Sequence, residues 1–449
     1  MTAAQPLWRA YVFFLMPMML SNVLQSLFGT VNGIYLGQMI GVDALAAVSI
    51  FFPVMFFFLS FILGLGAGSS MLIGQAWGAR EAAKAKAIAG TTLALTLLGG
   101  GVIAVGGGLF ARELMMALAV PPNILDDATD YARIMMITMP AIFTFLLATA
   151  MMRGVGDTVT PLWALAISTA IGLAVTPALI RGWFGLPQLG VVSAAIASAI
   201  SAVVTLLWLG LHMRWMNHPL APDKVLLRAM RLDRELLGKV LRIGIPTAVQ
   251  LVAMSLAEIV LLGIVNGFGS DATAAYGAVN QVLGYAQFPA ISIAITASIF
   301  AAQAIGAGEI ERIGPVVRTA MWLNLLLTGG LVALGYLFSR TIIGLFITSP
   351  EVLELAQTLL YIVLWSTVPF GMACVFAATM RASGTVVVPT LLSILAIVAV
   401  EVPVAIVLSR QIGVEGVWIA YPAAFCAMMA LQMAFYLMVW RKQEIRRLI

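Results

Sequence analysis

Twelve stretches of about twenty residues or more, each with few or no charges, constrain this chain more than any other feature. They cover roughly residues 10–36, 44–74, 87–110, 128–151, 160–181, 189–212, 243–267, 273–304, 316–338, 352–379, 386–409 and 413–440. A run of ~20 apolar residues crosses a bilayer as an α-helix, and lipid leaves no other open structure for the backbone. The runs are too long for barrel strands, which need only ~10 residues. With 62% hydrophobic and 10% charged residues, the chain could not cover a water-facing surface, where about 25% is usual. It reads as an all-α membrane protein of twelve transmembrane helices. The runs at 44–74 and 273–304 exceed a bilayer's needs and are expected to tilt, bend or project beyond it.

The runs belong to a duplicated unit. Gln75-x-x-Gly78-x-x-Glu81 ends one of the two long runs, and Gln303-x-x-Gly306-x-x-Glu309 ends the other, 228 residues later. Met152-Arg153-x-x-Gly156-x-x-x-x-Pro161 repeats at the same offset as Met380-Arg381-x-x-Gly384-x-x-x-x-Pro389. Pro17 pairs with Pro246, one residue off that spacing. Fixed-period self-similarity takes precedence over any other fold signal. Six spans per half is an even number, so both halves enter the membrane from the same side. The expected architecture is two six-helix lobes, 1–212 and 243–449, related by a pseudo-two-fold axis along the membrane normal. Residues 213–242, with seven Lys and Arg and with Pro219 and Pro222, form the linker between them.

Charge gives the orientation. With the N-terminus inside, 19 of the 24 Lys and Arg fall on the inner side, so both termini are expected in the cytoplasm. The net charge of +5 comes from these connectors and does not indicate a nucleic-acid partner; the linker's charge is expected to face lipid headgroups. The start of the chain is short and weakly basic, and its first apolar run reads as a retained span and not a signal peptide. Cys374 and Cys426 lie in separate runs and read as buried apolar residues. With His212 and His218 as the two histidines, no soft-ligand metal cluster can be assembled.

Polar residues inside spans carry the functional signal, because each is costly unless it faces water or a partner. Glu258 lies well inside the seventh run, where an unpaired carboxylate costs about 2.5–3.5 kcal/mol. It is therefore a natural site for a proton or a Na⁺. Gln250, Met254 and Glu258 share one helical face at i, i+4 and i+8. Glu401, two residues before Pro403, is a second acid inside a run. Asn22, Gln25, Gly29 and Asn32 form a polar stripe on the first span. Asn280, Gln281, Tyr285 and Gln287 add polar groups to the eighth. Aligning Pro17 with Pro246 sets Gly29 opposite Glu258, so the carboxylate exists in one half only. The candidate substrate- or ion-binding residues are Glu258, Asn32, Gln25, Gln250, Met254, Asn280, Gln281 and Glu401. Glu81, Glu309, Arg153 and Arg381 sit at the ends of runs and are expected to clamp loops.

The duplicated motifs, with Gly190-Val-Val-Ser-Ala-Ala-Ile-Ala echoed by Gly413-Val-Glu-Gly-Val-Trp-Ile-Ala, resemble those of the multidrug and toxic compound extrusion (MATE) transporters over about residues 10–440. The resemblance implies secondary active export of cationic, amphiphilic compounds across a bacterial inner membrane in exchange for H⁺ or Na⁺, by a monomer with no other cofactor. Members of the family often carry an acid in span 1 where this chain has Asn32, within Val31-Asn32-Gly33-Ile34-Tyr35-Leu36-Gly37. An acid that some hold in span 7 aligns with Met254, one turn before Glu258. Another in span 10 aligns near Gly371. Coupling through Glu258, with Glu401, is what these departures leave.

The alternative is a flippase or exporter of lipid-linked precursors or metabolites from the same superfamily. No Lys or Arg lies deep within a run, which disfavours anionic cargo. The loop after span 2 lacks the acidic and basic pattern of major facilitator transporters. No Ser/His/Asp set, P-loop or metal cluster points to an enzyme.

Overall fold

The structure, a computed structural model, describes residues 6–347 and 349–449, the side chains of Val42 and Phe184 excepted. Residues 1–5, part of the chain start discussed above, lie outside it. Twelve helices among the described residues are long and apolar enough to cross a membrane. In chain order they are α1 (Leu7–Met39), α2 (Asp43–Gly78), α3 (Ala82–Ala117), α4 (Leu125–Gly154), α5 (Val159–Arg181), α6 (Val192–Trp215), α7 (Arg234–Asn266), α8 (Ser270–Ala307), α9 (Ile310–Leu337), α10 (Pro350–Ala382), α11 (Val387–Ile412) and α12 (Val414–Lys442). Each matches one apolar run of the sequence. The protein is an all-helical, multi-pass membrane protein.

Two helices depart from regularity where proline predicts it. A 3₁₀ turn at Leu364–Ser366 interrupts α10. Pro369 has no N–H for the Trp365 carbonyl, and the tighter turn forms there. In α11 a π turn spans Ile397–Glu401. Pro403 leaves the Ala399 carbonyl without its usual donor, and the helix widens at that point.

The described chain packs as two compact units. An N-terminal unit holds Leu20–Trp77 and Glu81–Ile245, and a C-terminal unit holds the chain up to Met19, Gly78–Arg80 and Pro246–Ile449. These limits differ from simple halves at the start of α1, at Gly78–Arg80 and at the linker. The 213–242 segment packs with the N-terminal unit, and α7 already begins inside it at Arg234. The start of α1 packs in the C-terminal unit, where Tyr11 and Phe14 meet Phe300 edge-on and the Tyr11 hydroxyl donates to the Val316 carbonyl at 3.0 Å.

Within the N-terminal unit the glycine run of α2 permits backbone-to-backbone packing. A Cβ on Gly68 would lie 2.7 Å from the Val240 carbonyl oxygen, and one on Gly244 would lie 3.1 Å from that of Gly64. Gly154 of α4 packs as closely on Ser70 of α2. Small residues four apart are the usual means of bringing membrane helices into contact, since lipid supplies no hydrophobic drive between them.

The repeated motifs fold alike. Glu81 pairs with Lys84 at 3.2 Å, and Glu309 pairs with Arg312, each three residues on. Both glutamates thus clamp their own turn. Gly156 and Gly384 both have positive φ, 97° and 86°, and Arg80 and Gly308 match at 62° and 77°. Glycine fits that region at no steric cost, whereas arginine does not.

The linker is a built element. Asp223 caps the short helix Lys224–Ala229 through Leu226 N at 2.8 Å and accepts from Lys86 of α3. Arg214 Nε donates to the Pro222 carbonyl at 2.7 Å. His218 Nδ1 accepts from Leu220 N at 3.1 Å, and its Nε2 lies 3.6 Å from Asp157. Burial is the main cause that lowers the His218 pKa below its ordinary value; Asp157 opposes this and His212 adds to it. The hydrogen bond from Lys86, with a second from Leu226 N, holds Asp223 below the usual carboxylate range.

Two outcomes test this description. Arg80→Gly, which relieves the left-handed arginine, is expected to stabilise the protein by up to about 1 kcal/mol, and Gly308→Ala to destabilise it by a similar amount; thermal melts in detergent check both. For the linker, a base whose folded pKa lies below its unfolded ~6.5 loses stability as pH falls through the latter. Asp223, with its lowered pKa, keeps its contribution to lower pH. Hydrogen exchange across residues 213–223, corrected for intrinsic rates, should therefore accelerate between pH 7.5 and 5.5, and His218→Gln should flatten that dependence.

Candidate functional site

The carboxylates predicted from sequence come together inside the C-terminal unit. Glu258 projects from α7 and is exposed. Glu401 ends the π turn of α11 and is 6% exposed. An added residue in a helical turn shifts every side chain after it around the axis, which is how such turns re-aim functional groups. Ala257, beside Glu258, packs with Ile397 of the π turn that ends in Glu401, which sets the two acids in the same part of the unit.

An aromatic group adjoins this part of the unit through Met254 and Val402, which pack against both clusters. The hydroxyls of Tyr276 on α8 and Tyr421 on α12 are 2.8 Å apart. Asn280 lies one turn beyond Tyr276 on α8. The Trp418 ring centre is 5.1 Å from that of Tyr276 and 5.5 Å from that of Tyr421. Trp418 is fully buried, and its Nε1 has no acceptor. Phe425 continues the stack, 6.0 Å from Tyr421 and 4.8 Å from Phe370. Beneath lie Ala257, Ala373, Ala396, Ile397 and Met428, with Met254 packed against them. Met254 thus belongs to the apolar floor.

Gln250 does something different from Glu258, although the two share a face. Its Oε1 accepts from Arg381 Nη1 at 3.1 Å, so it ties α7 to the end of α10. Gln281 is exposed beside Asn280. Gln25 and Asn32 belong to the N-terminal unit; Gln25 is exposed, and the Asn32 side-chain oxygen is buried without a partner. Near Gly371, a Cβ would run into the Asn324 amide oxygen, which fixes this position as small. Asn324 donates to the Val368 carbonyl at 2.9 Å and accepts from Thr328 at 3.0 Å. It thereby serves the broken segment of α10.

Of the residues named from the sequence, Glu258, Glu401 and Asn280 fall in this part of the C-terminal unit. Tyr276, Tyr421 and Trp418 were not among those named, because aromatic residues in an apolar run carry no mark that separates a site from a lipid-facing surface. Chemically the group offers carboxylate oxygens, phenol oxygens and ring faces. All of these accept positive charge. No group of three or more His, Cys, Asp or Glu that could hold a metal occurs among the described residues.

Twelve spans folded from a duplicated unit, with ionisable groups kept inside one of them, define a multi-pass membrane transporter. The MatE family profile matches residues 17–178 and 246–407, one segment in each half. The chain is 47% identical over 444 residues to the Probable multidrug resistance protein YoeA of Bacillus subtilis, covering 98% of this chain and 96% of that one. It is 26% identical to the FAD transporter of Shewanella oneidensis, over 88% and 86% of the two chains. A solved variant of the Vibrio cholerae MATE transporter VcmN superposes with a TM-score of 0.90 at 20% identity, over 98% of each chain. The protein belongs to the MatE family of multidrug efflux transporters.

The tyrosine pair is open to a direct test. In a double-mutant cycle of Tyr276→Phe and Tyr421→Phe, the coupling energy should be about 1 kcal/mol, the usual net value of a buried hydrogen bond. Thermal unfolding in detergent supplies the four stabilities.

Proposed function

We propose that the protein is a secondary active antiporter that exports cationic amphiphilic compounds, with Glu258 and Glu401 forming one site at which the coupling H⁺ or Na⁺ binds. The pairing of two carboxylates inside one unit, next to three aromatic residues, carries this reading. Carboxylates kept within membrane spans bind a proton or a cation in preference to standing bare. Tyr276, Tyr421 and Trp418 add ring faces that favour cations. Asn32, which stands where an acid serves many relatives, cannot take up a proton and does not provide a second coupling site. The ion shifts the transporter only through a difference in its affinity for two states, so ion and cargo favour opposite ones. The acidic site supports cationic over anionic cargo. This ranks drug export above export of lipid-linked precursors or of metabolites such as that in the name of the Shewanella relative. The Lys and Arg asymmetry supports a bacterial inner-membrane location with both termini in the cytoplasm, and the protein acts as a monomer.

The test uses proteoliposomes loaded with a fluorescent cationic dye under an imposed pH or Na⁺ gradient. One gradient should move the dye and so identify the ion. Glu258→Gln and Glu401→Gln should each lower that movement at least tenfold. The double variant should be no slower than either single, as expected for groups that act as a unit. Dye movement unchanged in both variants would move the coupling site elsewhere.

A further inference from the structure

A second site lies in the N-terminal unit, among α2, α3 and α4. Phe57, Phe61 and Ile62 of α2, Thr96 and Gly99 of α3 and Phe143 of α4 border a cavity of about 290 Å³. Its origin is local. Gly100 packs so closely on Pro140 that a Cβ would sit 2.9 Å from the proline Cα, and Gly107 packs on Met136. These contacts draw α3 onto α4. Gly99 points about 100° away around the helix, and a Cβ there would meet nothing within 4 Å. The pair Gly99-Gly100 thus closes one side of α3 and leaves the other open.

The lining is carbon except for one group. Thr96 is 1% exposed, and its hydroxyl has no hydrogen-bond partner. Its neighbours behave otherwise: Thr92 donates to the Ile88 carbonyl at 2.8 Å, and Thr138 of α4 donates to that of Ile134 at 2.7 Å. A buried hydroxyl without a partner is the exception in folded proteins and asks for a ligand or another explanation. At the mouth, Phe57 and Phe61 are 48% and 40% exposed. Both lie in the middle of α2 (Asp43–Gly78), at the depth of the bilayer interior by length and composition.

We propose that this cavity binds an uncharged lipophile that carries a ring system and one hydrogen-bonding oxygen, with the oxygen held by the Thr96 hydroxyl. Size and depth select the class. An apolar cavity of about 150 Å³ takes benzene, so this one takes roughly two rings. Thr96 is the fifteenth residue of α3, some 20 Å along the helix. Phospholipid ester carbonyls stay at the membrane surface and do not reach that depth, whereas a free ketone, phenol or ether does. The four phenylalanines of the lining, Phe58 among them, suit aromatic rings. The site carries no charge, and it differs in chemistry from the carboxylate group of the C-terminal unit.

Benzophenone is a suitable probe, because it has two rings and one ketone oxygen and cross-links on irradiation. Purified full-length protein in proteoliposomes would be titrated with it, irradiated and mapped by peptide mass spectrometry. Saturable labelling is expected at Phe143 and Ile62, which are 2% and 5% exposed and which a probe merely dissolved in lipid does not reach. Labelling at Val102, 73% exposed on the same helix, should rise without saturating. Gly99→Phe fills the open side and should lower Phe143 labelling at least tenfold while leaving Val102 labelling and the melting temperature unchanged. Thr96→Val should raise the half-saturating concentration about five-fold. Absence of saturable labelling at Phe143 and Ile62, or labelling that survives Gly99→Phe, would overturn the proposal. Labelling insensitive to Thr96→Val would reduce the cavity to a slot for lipid chains and overturn it as well.

Discussion

Everything in this protein follows from one constraint: inside a bilayer, a backbone N–H or C=O that the chain does not pair has no water to turn to. The twelve spans are helical for that reason. Even the irregular turns stay within hydrogen-bonded helix, as a tighter 3₁₀ turn near Pro369 and a wider π turn before Pro403. Where α10 breaks, Asn324 reaches across from α9 to take the Val368 carbonyl. Polar side chains within spans therefore fall into two groups. Some repair the backbone, as Asn324 does. The rest have another use, and these are the ones that define a site.

How much could be read from the chain depended on range. The spans are legible because they are continuous in sequence, and the duplication because its period is fixed. Glu258 and Glu401 stand out as acids in apolar surroundings. The tyrosine pair does not, since its partners are 145 positions apart and neither looks unusual alone. Gln250 shows the same limit: its helical face, shared with Glu258, is legible, but its partner on another helix, Arg381, is not. Pro369 and Pro403 each remove a backbone donor from α10 and α11, yet whether the turn tightens or widens there depends on neighbouring helices, which sequence order does not reveal.

The two halves keep the same joints and differ in what they enclose. Motif turns repeat down to backbone sign, with Gly156 matched by Gly384 and Arg80 by Gly308. Arginine in the left-handed region, where the copy has glycine, shows that this geometry is imposed by the surrounding fold and tolerated at a cost. The interiors have diverged: an acid pair with aromatic rings in the C-terminal unit, and an aromatic cavity with one hydroxyl in the N-terminal unit. Duplication supplies the mechanical frame, and substitution within the frame assigns the chemistry.

Two unpaired groups mark that divergence. The Trp418 indole N–H and the Thr96 hydroxyl are both buried and both lack a partner. Leaving such a group unsatisfied costs about 1–3 kcal/mol, a large share of the 5–15 kcal/mol by which a typical fold is stable. An apolar residue of similar shape would avoid the cost: Val at position 96 removes the hydroxyl with almost no change in volume. A chain under stability alone would have little reason to keep either group. Each lies beside space or charge that a ligand could use, Trp418 within the ring stack next to the carboxylates and Thr96 on the wall of the cavity. Among the buried groups without a partner, these two lie in the places that charge and volume select independently.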